Sequence, residues 1–210
     1  VLSYSGGKDC ILALYRKIEQ GDIPVALLTT VKKSSEETWT HGLSFDLLEQ
    51  VSKSLELPII YAQCDVSEYE DVLEEKLREA KKMGATSVVY GDIDIAHHKQ
   101  WGIDRSKNAG LDYEFPLWQE DREKLVYEVI DSGFKAVIKK VNLDYLSEDF
   151  LGKTLDKPLI EEIKKTGSDA CGENGEYHTF VVDGPLFSTP IELDVLGKTI
   201  TNGYAILDVK

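Results

Sequence analysis

The feature that most constrains the fold is the alternation of short apolar strands with amphipathic helices through the first two thirds of the chain. Pro24–Val31 is a run of apolar and β-branched residues, which is typical of a strand buried on both faces. Pro58–Ala62 and Thr86–Tyr90 have a similar character, while helical spacing of apolar residues marks Leu43–Leu55 and Ser67–Met83. This βαβα order predicts an α/β fold, with a doubly wound parallel sheet and helices on both faces.

In a sheet of this kind, the loops that follow the strands meet at the carboxyl edge, and ligands bind there, where the strand order reverses. We therefore expect the loops at 4–10, 30–42, 63–68 and 90–105 to share one edge. Functional residues in these loops would then be neighbours although they lie far apart in sequence.

The regular alternation of strands and helices changes near Pro116. We predict an N-terminal domain at 1–116 and a smaller C-terminal α+β domain at 117–210. The second part is predicted to contain a helix at Arg122–Gly133, a strand at Lys135–Val141, two short helices within 146–166 that are broken near Pro158, and a β-rich tail from His178 to Lys210.

A glycine pair followed by lysine stands between the first strand and the first helix, in the run Ser5-Gly6-Gly7-Lys8-Asp9-Cys10. Glycine lets the backbone turn tightly and bring its N–H groups against an anion. A helix predicted from Ile11 would add the partial positive charge of its N-terminus, and Lys8 adds a full charge. The run lacks Walker A spacing, yet it predicts a phosphate site more strongly than a structural turn with a solvated lysine.

A second group of candidates follows the fourth predicted strand, in Tyr90-Gly91-Asp92-Ile93-Asp94 and His97-His98-Lys99-Gln100-Trp101. Asp92 stands where parallel sheets often place catalytic or metal-binding acids. The adjacent His97 and His98 point apart in any regular element and make a poor zinc site. Trp101 and Trp118 suit stacking on a base or closing a lid, although core packing is the commoner role.

The third group is Ala170-Cys171-Gly172-Glu173-Asn174-Gly175-Glu176-Tyr177-His178-Thr179. Asn174-Gly175 predicts a type I′ hairpin turn, around which Glu173 and Glu176 face each other and His178 shares their face. Two carboxylates and an imidazole suit Mg²⁺ binding, an amine substrate or acid–base chemistry. A solvated hairpin tip with charged flanks explains the same pattern equally well.

Composition excludes several classes of function. The net charge of −14 argues against a broad nucleic-acid surface, although Lys135, Lys139 and Lys140 mark a possible local basic patch. An acidic protein that binds ATP needs Mg²⁺ to offset charge near the phosphates. The three widely spaced cysteines favour a reduced, cytoplasmic protein without structural zinc, and no apolar run is long enough to span a membrane.

The phosphate run resembles the S-G-G-K-D-S signature of the PP-loop ATP pyrophosphatases, which split ATP between its α and β phosphates, with Cys10 in place of serine. Over essentially the whole chain, three segments in the same order resemble the diphthine–ammonia ligase-like family: SGGKDC, YGDI…HHKQW…FPLW and CGENGEYHTFVVDGP. The resemblance implies a HUP-type nucleotide-binding domain and a C-terminal part that carries the substrate pocket. It implies adenylation of a carboxylate with release of pyrophosphate, followed by attack of ammonia to form an amide.

The resemblance also implies roles for individual residues. ATP would be bound by Ser3, Ser5, Gly6, Gly7, Lys8, Asp9, Cys10 and Gly91. Catalysis would rest on Lys8, Asp9, Asp92 and Glu176, with Asp9 and Asp92 as the Mg²⁺ ligands. The acceptor would be bound by Glu173, Asn174, Glu176 and His178.

The chain departs from the family pattern at three places. Members that act on diphthine tend to read GEGGE[FY]ET, whereas GENGEYHT here is typical of a sister group; Lys99 stands where arginine is common, and Cys10 replaces serine. The leading hypothesis is therefore an AMP-forming amide ligase for an unidentified carboxylate. Diphthine–ammonia ligation on elongation factor 2 and a non-catalytic ATP sensor stay open, while the acidic charge and isolated cysteines disfavour sulfur transfer to tRNA. The expected partners are ATP, the acceptor, free ammonium and a second copy of the chain.

Overall fold

The computed structural model describes residues 1–35 and 37–210. They form two compact units, Val1–Ser5 with Asp9–Gln119 and Gly6–Lys8 with Glu120–Lys210. The phosphate run is thus shared, since Gly6, Gly7 and Lys8 belong to the second unit by their contacts. The predicted domain boundary at 116 and 117 stays a prediction. Within the described residues, no helix combines the length and the apolar character that a membrane span requires.

The first unit is built from alternating strands and helices. The strands are β1 (Leu2–Ser3), β2 (Leu27–Lys32), β3 (Ile59–Cys64), β4 (Ser87–Val89) and β5 (Asp112–Glu114). The helices are α1 (Lys8–Glu19), α2 (Phe45–Leu55), α3 (Tyr69–Lys82) and α4 (Ala96–Ala109), with a 3₁₀ turn at Val66–Glu68. The capping chemistry agrees with these bounds, because the Ser44 hydroxyl accepts from the Leu47 N–H and Gly110 ends α4 at a φ of 74°.

The five strands form one parallel sheet in the order β3-β2-β1-β4-β5. The predicted doubly wound α/β fold is confirmed. The strand order reverses between β1 and β4, so the carboxyl ends of these two strands mark the switch point. Leaving aside residue 36, which lies outside the described residues, the loops that we expect to share one edge all follow the carboxyl ends of parallel strands, as predicted.

One core lies between this sheet and the side chains of α3. Leu73, Leu77 and Ala80 recur at helical spacing on α3 and pack with Leu28 and Ile60 of the sheet. Burying each leucine in this way contributes on the order of 2 kcal/mol. The core thereby fixes the sheet edge from which the functional loops project.

Two predicted elements differ in the structure. The stretch 90–105 was expected to be a loop, but α4 begins within it at Ala96. The second strand begins at Leu27 instead of Pro24. Pro24 has no backbone N–H to donate to a sheet, which accounts for the later start.

The second unit carries an antiparallel sheet in the order β7-β6-β9-β8. Its strands are β6 (Lys135–Asn142), β7 (Tyr177–Asp183), β8 (Val195–Thr201) and β9 (Tyr204–Val209), and its helices are α5 (Arg122–Asp131) and α6 (Lys157–Lys165), with a 3₁₀ turn at Glu148–Phe150. The predicted α+β class is confirmed. Pro158 does not break a helix, because it stands in the first turn of α6, where its missing N–H has no intrahelical acceptor anyway.

The type I′ turn predicted at Asn174-Gly175 is not formed, since Gly175 has a φ of 86° but Asn174 is not in the positive-φ region that this turn requires. An Asn-Gly pair does form such a connection elsewhere. Asn202 and Gly203 have φ values of 50° and 78° and link β8 to β9, where Thr201 pairs with Tyr204. The segment 170–176 is therefore a loop before β7, and the predicted hairpin around it is wrong.

Candidate functional site

Three residues of the phosphate run, Ser5, Asp9 and Cys10, belong to the first unit, and the run leads directly into α1. The 12-residue helix begins at Lys8, three residues earlier than expected, so Asp9 and Cys10 lie in its first turn. The Ser5 hydroxyl donates to the Cys10 thiol at 3.4 Å, and Cys10 is buried. The N–H groups at a helix start form a site for anions, which agrees with the predicted phosphate loop.

The other three residues of the run lie along β7 in the second unit. The Val181 N–H donates to the Gly6 carbonyl at 3.0 Å, and the Lys8 N–H donates to the Thr179 hydroxyl at 3.1 Å. Gly6 has a φ of 90°, a conformation that favours glycine. The Lys8 side chain is only 4 % exposed, and its Nζ lies 5.7 Å from the centroid of the Tyr177 ring.

Gly91 brings the end of β4 against the start of α1. A Cβ at this position would lie 2.7 Å from the Cys10 nitrogen and 2.8 Å from the Asp9 carbonyl carbon and the Cys10 Cα. These are backbone atoms that cannot move aside without shifting the helix. The approach therefore requires glycine, and it places the next residue, Asp92, beside the first turn of α1.

The environment of Asp92 favours its neutral form. Burial is the main cause that raises the pKa of this carboxyl, and the negative charge of Asp9 adds to it. His98 opposes both, with its Nδ1 3.7 Å from the Asp92 Oδ1. The close approach of Gly91 to the backbone of Asp9 and Cys10 shows that the loops after β1 and β4 converge.

A cavity of about 480 Å³ opens at this switch point. It is lined by Ser3, Tyr69, Tyr90, Asp92, His97, His98 and Trp101. Ser3, Tyr69 and Trp101 also line a smaller cavity of about 90 Å³ that reaches Thr29 and Thr30 of β2 and Trp39 in the loop after it. Sites of this size, with apolar walls and a few polar groups, are typical of small-molecule pockets.

Aromatic rings form one wall of the larger cavity. The Tyr69 and Trp101 ring centroids are 5.9 Å apart. Hydrogen bonds orient both rings, because Tyr69 donates to the Thr30 hydroxyl at 3.1 Å and the Trp101 indole donates to Glu70 at 3.0 Å. Such a wall suits stacking against a planar base. Trp118 lies outside this set, and its ring centroid is 4.1 Å from the Lys99 Nζ.

In the second unit, the loop from Asp169 to Glu176 is organised around two carboxylates. Glu176 is 2 % exposed, and its oxygens accept from the N–H groups of Asp169 and Asn174 and from the Asn174 side-chain amide, each at 3.0 Å. Asp169 accepts from the N–H groups of Cys171 and Glu173 at 3.0 and 3.2 Å. Arg122 donates to Asp169 at 2.6 Å and to Asn174 at 3.1 Å.

His178 follows this loop on β7, in register with Lys140 of β6. Burial, followed by the positive charges of Lys140 and Lys8, lowers the pKa of this imidazole to about 4. His178 is therefore neutral at physiological pH, and it can donate or accept a hydrogen bond without carrying charge.

Two family models match the chain. The model described as the diphthamide synthase N-terminal domain matches residues 1–112, and the one described as the diphthamide synthase C-terminal domain matches residues 121–210. The chain belongs to the diphthamide synthase family. The assignment agrees with the predicted family, and the finer placement in a sister group stays a prediction.

Full-length relatives of this diphthamide synthase family member carry the name diphthine–ammonia ligase. The chain is 31% identical to the protein of that name from Rattus norvegicus, over 98% of this chain and 86% of the relative, and 32% identical to that of Mus musculus, over 85% and 69%. A solved structure described as the predicted subunit of a tRNA methyltransferase from Methanocaldococcus jannaschii aligns over 90% of this chain and 98% of its own at 16% identity, with a TM-score of 0.47, and we infer nothing from that likeness.

The structure of this diphthamide synthase family member places the predicted site residues in two groups. Ser3, Ser5, Asp9, Cys10, Gly91 and Asp92 gather at the switch point of the first unit. Gly6, Gly7, Lys8, Glu173, Asn174, Glu176 and His178 belong to the second unit. Of the possible basic patch, Lys135 is exposed, Lys140 is half-buried with its Nζ 4.0 Å from the Tyr204 ring centroid, and Lys139 is only 5 % exposed.

Arg122, Asp169 and Tyr69 of this family member were not predicted as site residues. Tyr69 falls within the predicted helix Ser67–Met83, and its position soon after β3, directly behind a 3₁₀ turn, is the signal that places it near the site. Asp169 precedes Cys171 by two residues, a spacing at which aspartate often accepts from the backbone. No local pattern links Arg122 to a loop that begins 47 residues later.

We expect replacement of His178 by glutamine to reduce the loss of unfolding free energy that this family member shows as the pH falls. Between pH 6.5 and about 4, the unfolded chain takes up a proton that the folded chain does not, so the wild type loses stability as the pH falls. Without His178, the difference in unfolding free energy between pH 7.5 and 4.5 should shrink by about 2–3 kcal/mol. Urea unfolding at both pH values measures this, with His97→Gln as the control. An unchanged difference in H178Q would contradict the assigned pKa direction.

Proposed function

We propose that this chain is an AMP-forming ATP-dependent ligase, which adenylates a carboxylate and converts it to an amide with ammonia. The observation that carries the proposal is the close packing of Gly91 on the backbone of Asp9 and Cys10 in the first turn of α1, directly after a glycine–lysine run, in a chain related over nearly its whole length to diphthine–ammonia ligases. Loops of this design bind phosphates through backbone N–H groups and one lysine.

The described residues fit ATP. The loop from Ser5 to Cys10 supplies helix-start N–H groups and Lys8 for the phosphates, while the cavity walled by Tyr69 and Trp101 has room for a nucleoside. Ser3 and Asp92 line the same cavity, and Gly91 packs on the backbone of Asp9 and Cys10. Asp9 and Asp92 are the carboxylates suited to hold Mg²⁺. Mg²⁺ would offset the charge of the phosphates and make pyrophosphate a better leaving group.

The chemistry proceeds in two displacement steps. An oxygen of the acceptor carboxylate attacks the α-phosphorus of ATP, its new P–O bond forms, and the bond to the β-phosphate oxygen breaks with release of pyrophosphate. Ammonia then attacks the acyl carbon, the bond to AMP breaks, and the amide nitrogen loses one proton. Lys8 and the loop amides stabilise the charge that develops on the departing pyrophosphate.

On the acceptor side, we assign the loop of Glu173, Asn174 and Glu176 together with His178. We further propose that the acceptor is a carboxylate other than diphthine. The sequence GENGEYHT has histidine where the diphthine-acting pattern has its third glutamate, and this histidine is neutral at physiological pH. A binding surface without that negative charge is less suited to the quaternary ammonium group of diphthine.

The names of the relatives favour a second candidate, diphthine–ammonia ligation on elongation factor 2. The two candidates share ATP, ammonium and AMP formation, and they differ only in the acceptor. We place either reaction in the cytoplasm, because the three cysteines are all thiols in the structure.

The test measures product formation with ATP, Mg²⁺ and ¹⁵N-ammonium against a panel of carboxylic acids and against elongation factor 2 with and without diphthine. We expect equal amounts of pyrophosphate and AMP, with ¹⁵N in the amide of one small acid. Incorporation only into diphthine-bearing elongation factor 2 would decide for the second candidate. Formation of ADP, or tight ATP binding without pyrophosphate under every condition, would overturn the proposal, and the latter would indicate an ATP sensor.

We expect Asp92→Asn to separate activity from stability. Pyrophosphate release should fall about 100-fold or more, because one of the two carboxylates proposed to hold Mg²⁺ beside the reacting phosphates is lost. Burial raises the pKa of Asp92, so ionisation of this carboxyl costs stability above its unfolded pKa, and the neutral amide removes that cost. The variant should therefore melt at or above the wild-type temperature at pH 8. A lowered melting temperature with intact activity would contradict the assigned role.

A further inference from the structure

The loop from Asp169 to Glu176 is closed by its own carboxylates, which is unusual for groups assigned to substrate chemistry. Both oxygens of Glu176 are engaged by three N–H donors at 3.0 Å, and the side chain is 2 % exposed. If this carboxylate moved to a substrate, the N–H groups of Asp169 and Asn174 and the Asn174 side-chain amide would all lose their charged acceptor.

Arg122 ties the two carboxylates into one network. It donates to Asp169 at 2.6 Å and to the Asn174 side-chain oxygen at 3.1 Å, while the Asn174 amide nitrogen donates to Glu176 at 3.0 Å. Asn174 therefore connects the arginine to the buried glutamate. A glycine at this position would keep the backbone N–H bond to Glu176 and lose both side-chain bonds.

The backbone of the loop is fitted to this network by a second set of contacts. The Tyr177 hydroxyl donates to the Ala170 carbonyl at 2.6 Å. Gly172 has a φ of 78°, and a Cβ there would lie 2.9 Å from the Tyr177 ring and 3.0 Å from the Tyr177 carbonyl oxygen. The loop thus has one conformation that the ring, the glycine and the two carboxylates all support.

We propose that Arg122, Asp169, Asn174 and Glu176 form a clamp of positioning residues that holds the loop 169–176 in one preset conformation. Glu176 is the anchor of this clamp and does not exchange protons with the substrate. Only the predicted effect of the clamp on catalysis rests on the proposed function. The predicted effect on the conformation of the loop does not depend on it. A preset loop lowers the entropy cost of binding an acceptor, since less chain has to be ordered at that moment.

The thiol of Cys171 reports on the clamp directly. Cys171 lies inside the loop and is 1 % exposed, while Cys64 lies on β3 and is fully buried. Mass spectrometry of peptides after timed iodoacetamide treatment gives the alkylation rate of each cysteine separately. Cys64 serves as the internal control for general unfolding.

In Arg122→Gln we expect the alkylation rate of Cys171 to rise about tenfold and that of Cys64 to stay at the wild-type value, since breaking a charge-assisted bond is worth about 1.4 kcal/mol or more. Asn174→Gly should act in the same direction, and the double variant should exceed the larger single effect only slightly. Arg122→Lys should restore part of the protection, because it retains the charge opposite Asp169. Lys124→Gln, which removes an exposed charge from the same helix, should leave both rates unchanged.

Unchanged Cys171 rates in both R122Q and N174G would overturn the clamp. Equal rises at Cys171 and Cys64 would overturn it too, since they would show a general loss of stability. This test needs no turnover, so it gives its answer even if the wild type releases no pyrophosphate and the proposed function fails.

With an active wild type, the pH profile of pyrophosphate release provides a second readout. We expect Glu176→Gln and Arg122→Gln to lower the rate while both limbs of the profile stay in place. Loss of one limb in E176Q alone would assign proton transfer to Glu176 and overturn its role as an anchor.

Discussion

Replacement of Lys8 by methionine should reduce pyrophosphate release about 100- to 1000-fold, which is the effect typical of losing one preorganised donor at a developing negative charge. Methionine has nearly the length of lysine and retains the backbone N–H that bonds to Thr179 at 3.1 Å. The change therefore removes the charge and leaves the tie between the loop and β7. The rate is measured as pyrophosphate formed at saturating ATP and Mg²⁺.

Lys8 is 4 % exposed, so loss of activity has to be separated from loss of folding. A buried ammonium group costs free energy of desolvation, and its replacement by an apolar side chain of similar size is not expected to lower the melting temperature greatly. Lys82→Met, at an exposed position in the last turn of α3, is the matched control and should retain full activity. Wild-type turnover by K8M would show that Lys8 does not stabilise the departing pyrophosphate.

Strand β5 (Asp112–Glu114) was not predicted, because two of its three residues are acidic. Strands β2, β3 and β4 could be predicted because their runs are mostly apolar, and this character survives in a single sequence. Helix α4 escaped prediction for the opposite reason. Its buried positions are Gly102, Ser106 and Ala109, small residues that allow close packing and leave no apolar stripe. The contact that Gly102 makes with the rings of Tyr90 and Phe115 becomes visible only in three dimensions.

The Asn-Gly pairs show a different limit of prediction. Asn202-Gly203 forms a tight hairpin because strands that pair with each other flank it. Asn174-Gly175 has the same residues, but Asn174 uses its side chain and its N–H to bind Glu176. Whether an Asn-Gly pair forms a tight hairpin turn therefore depends on the segments that flank it.

The positions of the site loops could be predicted from the sheet topology, whereas the hydrogen-bond partners of their side chains could not. Asp92 and the phosphate run converge because parallel strands end at one edge, and this follows from strand order alone. The hydrogen bond between Arg122 and Asp169 joins residues 47 positions apart, and no periodic pattern relates them. The hydrogen-bond network of the loop 169–176 is therefore visible only in the structure.

Replacement of Gly91 by alanine should disrupt both stability and nucleotide binding. The new Cβ would meet the Cys10 nitrogen at 2.7 Å and the Asp9 carbonyl carbon at 2.8 Å, and these backbone atoms belong to the first turn of α1. Relief of the overlap requires the end of β4 and the start of α1 to separate. Overpacking of this kind costs about 1–3 kcal/mol, and a displacement near 1 Å at a reacting centre reduces rates about 100-fold.

Gly102→Ala is the control that distinguishes a specific clash from a general effect of the added methyl group. Its Cβ would lie 3.2–3.3 Å from ring atoms of Tyr90 and Phe115, which can shift by a few tenths of an ångström, and alanine favours the helix by about 1 kcal/mol. We expect G102A to unfold and to release pyrophosphate nearly as the wild type does. We expect G91A to show lower stability in urea and weaker binding of a non-hydrolysable ATP analogue by calorimetry. Wild-type stability and affinity in G91A would mean that the end of β4 does not confine the phosphate loop, and the assignment of Asp92 to the reacting phosphates would lose its structural basis.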